Sequence, residues 1–266
     1  MILSEAEQRP QSGSTRPQAA TVLGGLPIAN IGMRETAEQF VRLAREARSG
    51  DRLPYYSTSA NGQVIAMAAK DQDFRKLLLR ADQIHADGMP MVLLSRHVAS
   101  NALSERVATT DLVHAVADKA ESAGLSFYFL GAHEEVNKLA VDRMQALYPK
   151  LKFAGRGNGY FSHDQEKAVV EEINRLKPDI LWVGLGVPRE QEFVVRNLHR
   201  LHGVGVIKTS GGLFDFLSGK NSRAPQWMQK CGLEWLYRTI LEPRRLARRY
   251  LVTNPIALRE ILRNSR

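Results

Sequence analysis

The sequence predicts an α/β fold in which helices cover both faces of a parallel sheet. Short runs of β-branched and aromatic residues alternate with longer stretches in which Val, Leu, Ile and Met recur every three or four positions. The first pattern is typical of buried strands and the second of amphipathic helices, and their alternation favours a Rossmann-like parallel sheet. With 266 residues, 44% of them hydrophobic, the chain can bury a core of this kind.

Seven short segments have the length and composition of strands. Each ends close to Gly, Asn, Asp or Ser, as expected where a strand turns towards a helix. Because ligands of open α/β sheets bind beyond the carboxyl ends of the strands, functional residues are expected at these ends. The predicted strands are residues 28–31, 55–59, 83–86, 126–130, 152–154, 180–185 and 204–208.

Three parts of the chain differ in composition. Residues 1–21 are rich in Gln, Ser, Pro and Arg, which predicts a disordered leader. Residues 22–224 carry the alternating pattern and form the α/β domain. Residues 225–266 interleave nine basic residues with apolar and aromatic ones and are predicted to form a helical appendage, divided into short helices by Pro243 and Pro255.

The formal net charge of +9 calls for an anionic partner. Much of this charge lies in the appendage, beside aromatic residues such as Trp227 and Trp235. Such a segment is typical of an anionic membrane surface, where each basic residue contributes roughly 1 kcal/mol, or of a nucleic-acid groove. A helix docked on its own domain with solvated charges is the third interpretation.

Three further features concern the cellular compartment. No apolar run reaches the roughly 20 residues of a membrane span. Residues 1–21 lack the apolar segment of a secretion signal, and the single cysteine, Cys231, has no partner for an internal disulfide. We therefore expect a soluble or peripheral protein of the cytoplasm.

Polar residues follow several predicted strands. The carboxylate of Asp87, before a glycine, would serve as a general base or simply form a turn. Ser59 and Asn61 would bind a sugar or phosphate group or cap the next helix. Asp111 is expected to be a helix N-cap, and Arg106 before it has no obvious structural role.

Three glycine-rich turns, at residues 155–160, 184–188 and 210–212, lie at predicted strand ends. Their backbone amides are suited to approach a pyrophosphate, although tight strand-to-helix turns have the same composition. None of the three has the spacing of the dinucleotide-binding fingerprint.

Two patterns look superficially like metal sites. Asp71 and Asp73 form an Asp-x-Asp pattern, but it lies between helical segments and is expected to be a helix end. His199 and His202 have the spacing of metal ligands without a third ligand. We therefore predict no metal and no cofactor.

Taken together, the motifs resemble the WecG/TagA/CpsF family of bacterial glycosyltransferases (glycosyltransferase family 26) over about residues 22–255. The resemblance implies the GT-E type of Rossmann-like fold. The matching motifs are Ala81-Asp82, Ala86-Asp87-Gly88, Glu105-Arg106-Val107, Thr110-Asp111-Leu112, Phe129-Leu130-Gly131, Gly159-Tyr160-Phe161, Pro178-Asp179-Ile180, Gly184-Leu185-Gly186-Val187-Pro188, Gly211-Gly212-Leu213-Phe214-Asp215, Arg223-Ala224-Pro225, Glu234-Trp235-Leu236-Tyr237-Arg238 and Glu242-Pro243-Arg244-Arg245-Leu246.

This resemblance implies an inverting, metal-independent transfer of a sugar from a UDP-sugar to an undecaprenyl-diphosphate-linked glycan. It makes residues 22–224 the catalytic domain and Asp87 the base, with Arg106 stabilising the departing diphosphate. The substrate-binding residues that it implies are Ser59, Asn61, Thr110, Asp111, Gly131, Gly159, Tyr160, Gly184, Gly186, Gln191, Gly211, Gly212, Arg238, Arg245 and Arg248.

The chain departs from the family pattern at four places. Thr-x-Asn becomes Ser59-Ala60-Asn61, and Gly-Thr-Asp becomes Thr109-Thr110-Asp111. Pro-x-Gln-Glu reads Pro188-Arg189-Glu190-Gln191-Glu192, where we assign the glutamine role to Gln191, and Met89-Pro90 replaces Ile-Gly or Val-Gly. These departures indicate a subfamily with a different donor sugar, such as one that makes exopolysaccharide repeat units.

Two alternatives are left open. The glycine-rich turns are compatible with an oxidoreductase or a methyltransferase, and the basic appendage with a nucleic-acid-binding protein. The expected partners are a UDP-sugar, a polyprenyl-diphosphate-linked sugar and the anionic inner face of the cell membrane, with no nucleic acid. The sequence leaves open the donor and acceptor sugars and whether the protein forms a homo-oligomer.

Overall fold

The main sheet of the protein has six strands, and all neighbouring strands are parallel. A computed structural model describes residues 19–50 and 52–266, and in it the strand order is β4-β3-β8-β7-β5-β6. The first two strands form a separate antiparallel hairpin. The strands are β1 (Ala20–Leu23), β2 (Leu26–Ala29), β3 (Tyr55–Ala60), β4 (Gln83–Ala86), β5 (Ser126–Gly131), β6 (Lys152–Gly157), β7 (Ile180–Gly184) and β8 (Val206–Thr209).

Helices follow most of the strands, as the alternating sequence pattern predicts. In the described part of the chain they are α1 (Met33–Ala47), α2 (Gly62–Lys70), α3 (Gln72–Leu78), α4 (Met89–Val98), α5 (Thr109–Ala123), α6 (Glu134–Leu147), α7 (His163–Leu176), α8 (Arg189–Asn197), α9 (Leu213–Leu217), α10 (Gln226–Lys230), α11 (Glu234–Leu241) and α12 (Pro243–Arg263).

Both faces of the main sheet are covered, which confirms the predicted α/β fold class. Successive side chains of a strand point to opposite faces. Phe127 and Phe129 accordingly join a buried cluster with α1 and α5, whereas Tyr128 and Leu130 join a second cluster with α7 and α8. This two-sided burial explains why the central strands β5 and β7 read as nearly continuous apolar runs.

The segment at residues 28–31 does not join the main sheet, contrary to the prediction. Part of it forms β2, which pairs with β1 across the Gly24-Gly25 turn. Both glycines have positive φ, 58° and 75°, and such two-residue turns favour a tight antiparallel hairpin. The strand β1 also takes in Ala20 and Thr21, the last two described residues of the predicted leader; residues 1–18 lie outside the described residues.

The expectation that Pro255 separates two helices is wrong. Pro243 begins α12, and Pro255 lies inside this continuous helix of 21 residues. A proline at this position cannot donate the helical hydrogen bond to the carbonyl of Leu251, and Leu251 lies on the exposed side of the helix. Beyond the proline, Ala257 and Ile261 are buried in the core, and their packing holds the helix in register.

The C-terminal end of the appendage is attached to the α/β domain. Helix α12 packs on α2, and three hydrogen bonds join its end to the β1–β2 hairpin. They run from Gly25 N to Asn264 O (2.7 Å), from Gly24 N to Ser265 Oγ (3.0 Å) and from Arg266 N to Val22 O (3.1 Å). Among the helices of the described residues, none has the length and hydropathy to span a bilayer.

Candidate active site

A cavity of about 1090 Å³ opens at the carboxyl edge of the sheet. The ends of four neighbouring strands reach it through Ser59 (β3), Asp87 (β4), Gly184 (β7) and Thr209 (β8). The appendage supplies the opposite wall with Trp235, Arg238, Arg245, Arg249, Tyr250 and Asn254. The sheet edge and the appendage therefore enclose one site.

Most of the residues that the sequence singles out line this cavity. Ligands of parallel α/β proteins bind at this edge because every strand ends there, so the loops that follow the strands lie side by side. The predicted residues that line it are Ser59, Asn61, Asp87, Arg106, Thr110, Gly159, Tyr160, Gly184, Gly186, Gly211, Gly212, Arg238 and Arg245.

Four predicted site residues are not part of the cavity lining. Gly131 is buried under Gly184, where a Cβ would overlap the Gly184 carbonyl. Gln191 is buried and donates from Nε2 to Thr58 Oγ1 at 3.4 Å. Arg248 is exposed on α12, and Asp111 lies behind the cavity wall in an ion-pair network described below.

Asp87 follows β4 directly and is held from two sides. Its backbone N–H donates to Ala60 O (2.9 Å), which continues the pairing of β3 with β4. Its Oδ1 accepts a hydrogen bond from the Thr109 N–H at the start of α5 (2.9 Å). Within the described residues no hydrogen bond uses Oδ2. One oxygen thus fixes the carboxylate while the other is free to accept a proton from a bound ligand.

Asn61 caps a helix and also lines the cavity. Its Oδ1 accepts from Val64 N at 3.1 Å and so caps α2, and the residue also lines the cavity. The cap supplies one of the acceptors that the first turn of a helix needs. Asn61 therefore has a structural role that accounts for its side-chain orientation.

The prediction that Asp111 is an N-cap is wrong, because α5 begins at Thr109 and Ala108 occupies the cap position. The Asp111 carboxylate instead accepts hydrogen bonds from Arg106 (3.0 Å) and Arg223 (2.7 and 3.3 Å). Asp111 thus lies in the first turn of α5, after the cap position, and its carboxylate is held by two guanidinium groups in hydrogen bonds in which both partners are charged.

This contact belongs to a network that joins the α/β domain to the appendage. Arg106 also donates to Glu234 Oε2 (3.0 Å) on α11 and to Gln229 Oε1 (3.2 Å) on α10. Arg223 donates to the same Gln229 oxygen (2.6 Å) and lies 3.4 Å from Glu234 Oε1. Two arginines and two carboxylates thus balance in charge, and together they fix α10 and α11 over the cavity.

Glu190 is a cavity residue that the sequence analysis assigned no role. Its Oε2 accepts hydrogen bonds from the N–H groups of Gly186 (3.1 Å) and Gly211 (2.9 Å). These amides belong to two of the glycine-rich turns that were expected to approach a pyrophosphate. Burial raises the pKa of Glu190 to about 7, against the opposing effects of the Gly211 N–H and the Lys208 charge.

The sequence did contain a signal for Glu190. When the family pattern Pro-x-Gln-Glu is aligned from Pro188 without an insertion, Glu190 and not Gln191 occupies the position of the family glutamine.

Lys208 is the second residue that sequence reasoning missed. It lies in β8, fully buried, and its Nζ donates to Ser59 Oγ at 2.6 Å. Burial lowers its pKa to about 8, while Asp87 and Glu190 act in the opposite direction. The signal was a lone basic residue inside an otherwise apolar predicted strand.

The rim of the cavity carries an aromatic pair. The rings of His133 and Tyr160 are stacked with centroids 3.9 Å apart and planes at 10°. The Tyr160 ring is exposed, and the Gly159 N–H donates to Ala132 O (2.7 Å), which holds the turn against the end of β5. An exposed, fixed ring of this kind is suited to stack on a planar group such as a nucleobase.

The residues of the two metal-like patterns lie at a helix cap and on the protein surface. Asp71 caps α3, its Oδ1 accepting from Asp73 N (2.9 Å) and Phe74 N (3.0 Å), which confirms the expected helix end. His199 and His202 are exposed. In residues 19–50 and 52–266, no group of three His, Cys, Asp or Glu side chains is placed to hold a metal ion.

Comparison with known proteins assigns the chain to a family. The model of the Glycosyl transferase WecG/TagA/CpsF family matches residues 21–266. Similar relatives bear the name N-acetylglucosaminyldiphosphoundecaprenol N-acetyl-beta-D-mannosaminyltransferase. The one from Bacillus subtilis (strain 168) is 34% identical over 72% of this chain and 73% of its own length. Those from Bacillus spizizenii (30%) and Staphylococcus aureus strain MRSA252 (29%) cover 79% of this chain and 80% and 81% of their own lengths.

The family match bears on the alternatives that the sequence left open. It runs from residue 21 to residue 266, through the sheet, the cavity and the appendage, and with the named relatives it favours a glycosyltransferase over an oxidoreductase, a methyltransferase or a nucleic-acid-binding protein. The chain belongs to the WecG/TagA/CpsF family of glycosyltransferases.

Proposed function

We propose that this enzyme transfers a sugar from a UDP-sugar to a polyprenyl-diphosphate-linked sugar, with inversion and without a metal ion, in exopolysaccharide-type synthesis. The observation that carries the proposal is the position of Asp87, which lines a cavity walled by arginines and aromatic residues and has one carboxylate oxygen that no hydrogen bond of the described residues uses. The relatives are named for transfer to N-acetylglucosaminyldiphosphoundecaprenol, which supports the acceptor class.

In the proposed reaction Asp87 is the base. The acceptor hydroxyl oxygen attacks the anomeric carbon from the face opposite the diphosphate, and Asp87 Oδ2 takes the hydroxyl proton. One C–O bond forms as the bond to the diphosphate breaks, and UDP leaves with the bonding electron pair. The hydrogen bond from Thr109 N to Oδ1 (2.9 Å) keeps the carboxylate oriented during this step.

The departing diphosphate needs positive charge, and the appendage is its proposed source. Arg238, Arg245 and Arg249 all line the cavity. Arg238 lies over the Phe216 ring at 5.4 Å, and Arg245 is paired with Glu242 at 2.6 Å, so both are held near the site. Arginine groups held in position beside the leaving group stabilise the negative charge that develops there. Arg106 also lines the cavity, and in this proposal it contacts the diphosphate while remaining paired with Glu234.

The outer surface of the appendage supports a position on the membrane. Ile240 on α11 and Leu251 on α12 are 68% and 77% exposed, and Arg244 and Arg248 are exposed near them. Apolar side chains mixed with arginines are typical of helices that lie in the headgroup region of anionic bilayers. We infer that the enzyme binds the inner face of the cell membrane, where a lipid-linked acceptor would enter the cavity from the appendage side.

The proposal is tested by measuring UDP release from purified enzyme with a polyprenyl-diphosphate-linked N-acetylglucosamine acceptor. UDP-N-acetylmannosamine, UDP-glucose and UDP-glucuronate serve as donors, and GDP-mannose serves as the control for the nucleotide. We expect acceptor-dependent release from one of the UDP-sugars and none from GDP-mannose. The absence of acceptor-dependent release with every UDP-sugar would contradict the proposal.

A further inference from the structure

A positive charge lies wholly buried directly beneath the cavity. The Lys208 side chain is 0% exposed, and it does not itself line the cavity. Its Nζ donates to Ser59 Oγ at 2.6 Å, and Ser59 does line the cavity. Burying an ammonium group is unfavourable unless nearby groups pair with its charge or accept its hydrogen bonds. The surroundings of Lys208 must therefore account for its burial.

The groups around Lys208 keep it charged. The titratable side chains that face it are Asp87 at the end of β4, Glu190 on α8 and His85 within β4. The two carboxylates raise the pKa of Lys208 against the larger effect of burial, which leaves it at about 8. His85 is buried with a lowered pKa, caused by burial and by the Lys208 charge, and is therefore neutral. At neutral pH the ammonium form predominates.

The hydrogen bond from Lys208 determines what Ser59 can do. An ammonium group has no lone pair, so the Ser59 hydroxyl must be the acceptor in this bond. The hydroxyl hydrogen of Ser59 must then point elsewhere, either to Thr109 Oγ1 at 3.2 Å or to a ligand in the cavity. A hydroxyl that accepts from a cation is also a stronger donor, because hydrogen bonds in a chain polarise one another.

We propose that Lys208 is a positioning residue for the diphosphate of a bound donor. By donating to Ser59 Oγ, the ammonium group polarises the Ser59 hydroxyl, which in turn donates to the diphosphate. The inference rests on the proposed function for the identity of the donor. In this arrangement the Lys208 cation acts on the diphosphate from the floor of the cavity, and the arginines of the appendage act from the opposite side. Lys208 itself touches no substrate, and Ser59 makes the contact.

The test compares the affinity of the whole enzyme for UDP and for uridine by calorimetry. Uridine has the same base and ribose as UDP but no diphosphate, so the ratio of the two affinities isolates the diphosphate contact. Lys208→Met and Ser59→Ala should each weaken UDP binding by about tenfold, as expected for one lost charge-assisted hydrogen bond. Uridine affinity should not change. The double variant should bind UDP no more weakly than either single variant, since both residues act through one contact.

Two further controls separate this role from a structural one. Methionine fills nearly the same volume as lysine, but it leaves the carboxylates of Asp87 and Glu190 without the cation that faces them, so some loss of stability is expected, and thermal unfolding must show that Lys208→Met is folded at the temperature of the binding experiment. A purely structural role would weaken UDP and uridine binding alike. Lys76→Met, which removes the same charge from an exposed site on α3, is the matched control and should leave the affinity ratio unchanged.

The pH dependence provides a test within the unmodified protein. As the pH rises through about 8, Lys208 loses its proton, so the ratio of UDP to uridine affinity should fall. In Lys208→Met this fall should be absent. If that variant does not fold, Lys208→Gln replaces it and the profile of the wild type still decides.

The outcomes distinguish this inference from the proposed function. If UDP binds the wild type more tightly than uridine but Lys208→Met keeps the same ratio, the role of Lys208 is contradicted and the UDP-sugar donor stands. If the wild type binds UDP no better than uridine, both are contradicted.

Discussion

At the scale of single residues, the carboxyl edge of the sheet gathers charges of both signs in a small volume. The sequence predicts a functional role for Asp87 because an Asp-Gly pair at a strand end is a recognisable pattern. Glu190 and Lys208 are not predicted, because their roles depend on burial and on partners elsewhere in the chain, 21 positions away for the Gly211 amide and 149 positions away for Ser59. Lys208 contacts Ser59, and Glu190 contacts the Gly211 amide across two segments of the chain. Spacing along one sequence carries no information about such contacts.

Glu190 gives a prediction about stability and pH. Its pKa is raised from 4.5 to about 7 by burial, so between these values the folded protein holds a proton that the unfolded chain releases. The resulting stabilisation is complete below pH 4.5 and is lost as the pH rises to about 7. For Glu190→Gln we expect the free energy of unfolding to lack this decline, which in the wild type amounts to at most about 3 kcal/mol.

Urea unfolding of both proteins at several pH values between 4.5 and 7 measures this difference. Glu171→Gln, on the exposed side of α7, is the control and should follow the wild type. Parallel curves for the wild type and Glu190→Gln would show that Glu190 is not buried as described.

At the scale of elements, the apolar patterns predict the positions of the six strands of the main sheet, and two other elements differ from prediction. The β1–β2 hairpin was missed although Gly24-Gly25 is a known hairpin signal, because the preceding segment has the polar composition of a leader. The sequence predicts that Pro255 separates two helices, but the burial of Ala257 and Ile261 against α2 keeps α12 continuous. Tertiary packing explains the continuous helix, whereas the hairpin follows a local turn preference that the composition of the preceding segment concealed.

The ion-pair network of Arg106, Arg223, Asp111, Glu234 and Gln229 predicts how the appendage is held. Glu234→Ala removes a partner of both arginines and leaves their charges under-compensated in a half-buried position. We expect the amides of α10 and α11 to exchange hydrogen about tenfold faster, while those of the main sheet are unchanged.

Hydrogen exchange followed by mass spectrometry resolves these segments. The control is Glu135→Ala, an exposed acidic residue on α6, which should leave exchange in α10 and α11 as in the wild type. Equal protection of α10 and α11 in Glu234→Ala would show that the network does not hold the appendage.

At the scale of the whole molecule, the appendage is both part of the fold and part of the site. The sequence predicted its basic, aromatic character but left open whether it docks on its own domain. It does dock, since α12 contributes Ala257 and Ile261 to the core and its end is bonded to the β1–β2 hairpin. Deleting residues 225–266 would therefore expose core side chains as well as remove the proposed membrane contact, so substitutions on its outer surface are the better test.

We predict that the double variant Ile240→Ser, Leu251→Ser binds anionic vesicles about tenfold more weakly than the wild type, because two exposed apolar side chains no longer enter the bilayer. Its unfolding temperature should not fall, since neither side chain is buried. Leu147→Ser, which alters a side chain 64% exposed on α6, should bind vesicles like the wild type. Sedimentation with phosphatidylglycerol vesicles measures this, and undiminished binding of the double variant would contradict a membrane role for this surface.

The central claim is that Asp87 at the sheet edge is the base for sugar transfer, and Asp87→Asn tests it most directly. Asparagine can still accept the Thr109 hydrogen bond but cannot take the hydroxyl proton, so the cavity and UDP affinity should be retained. The decisive measurement is the rate of transfer under saturating donor and acceptor, with Asp73→Asn on the exposed side of α3 as control. We predict a loss of at least about 100-fold for Asp87→Asn and none for the control. Transfer by Asp87→Asn at the rate of the wild type would contradict the account.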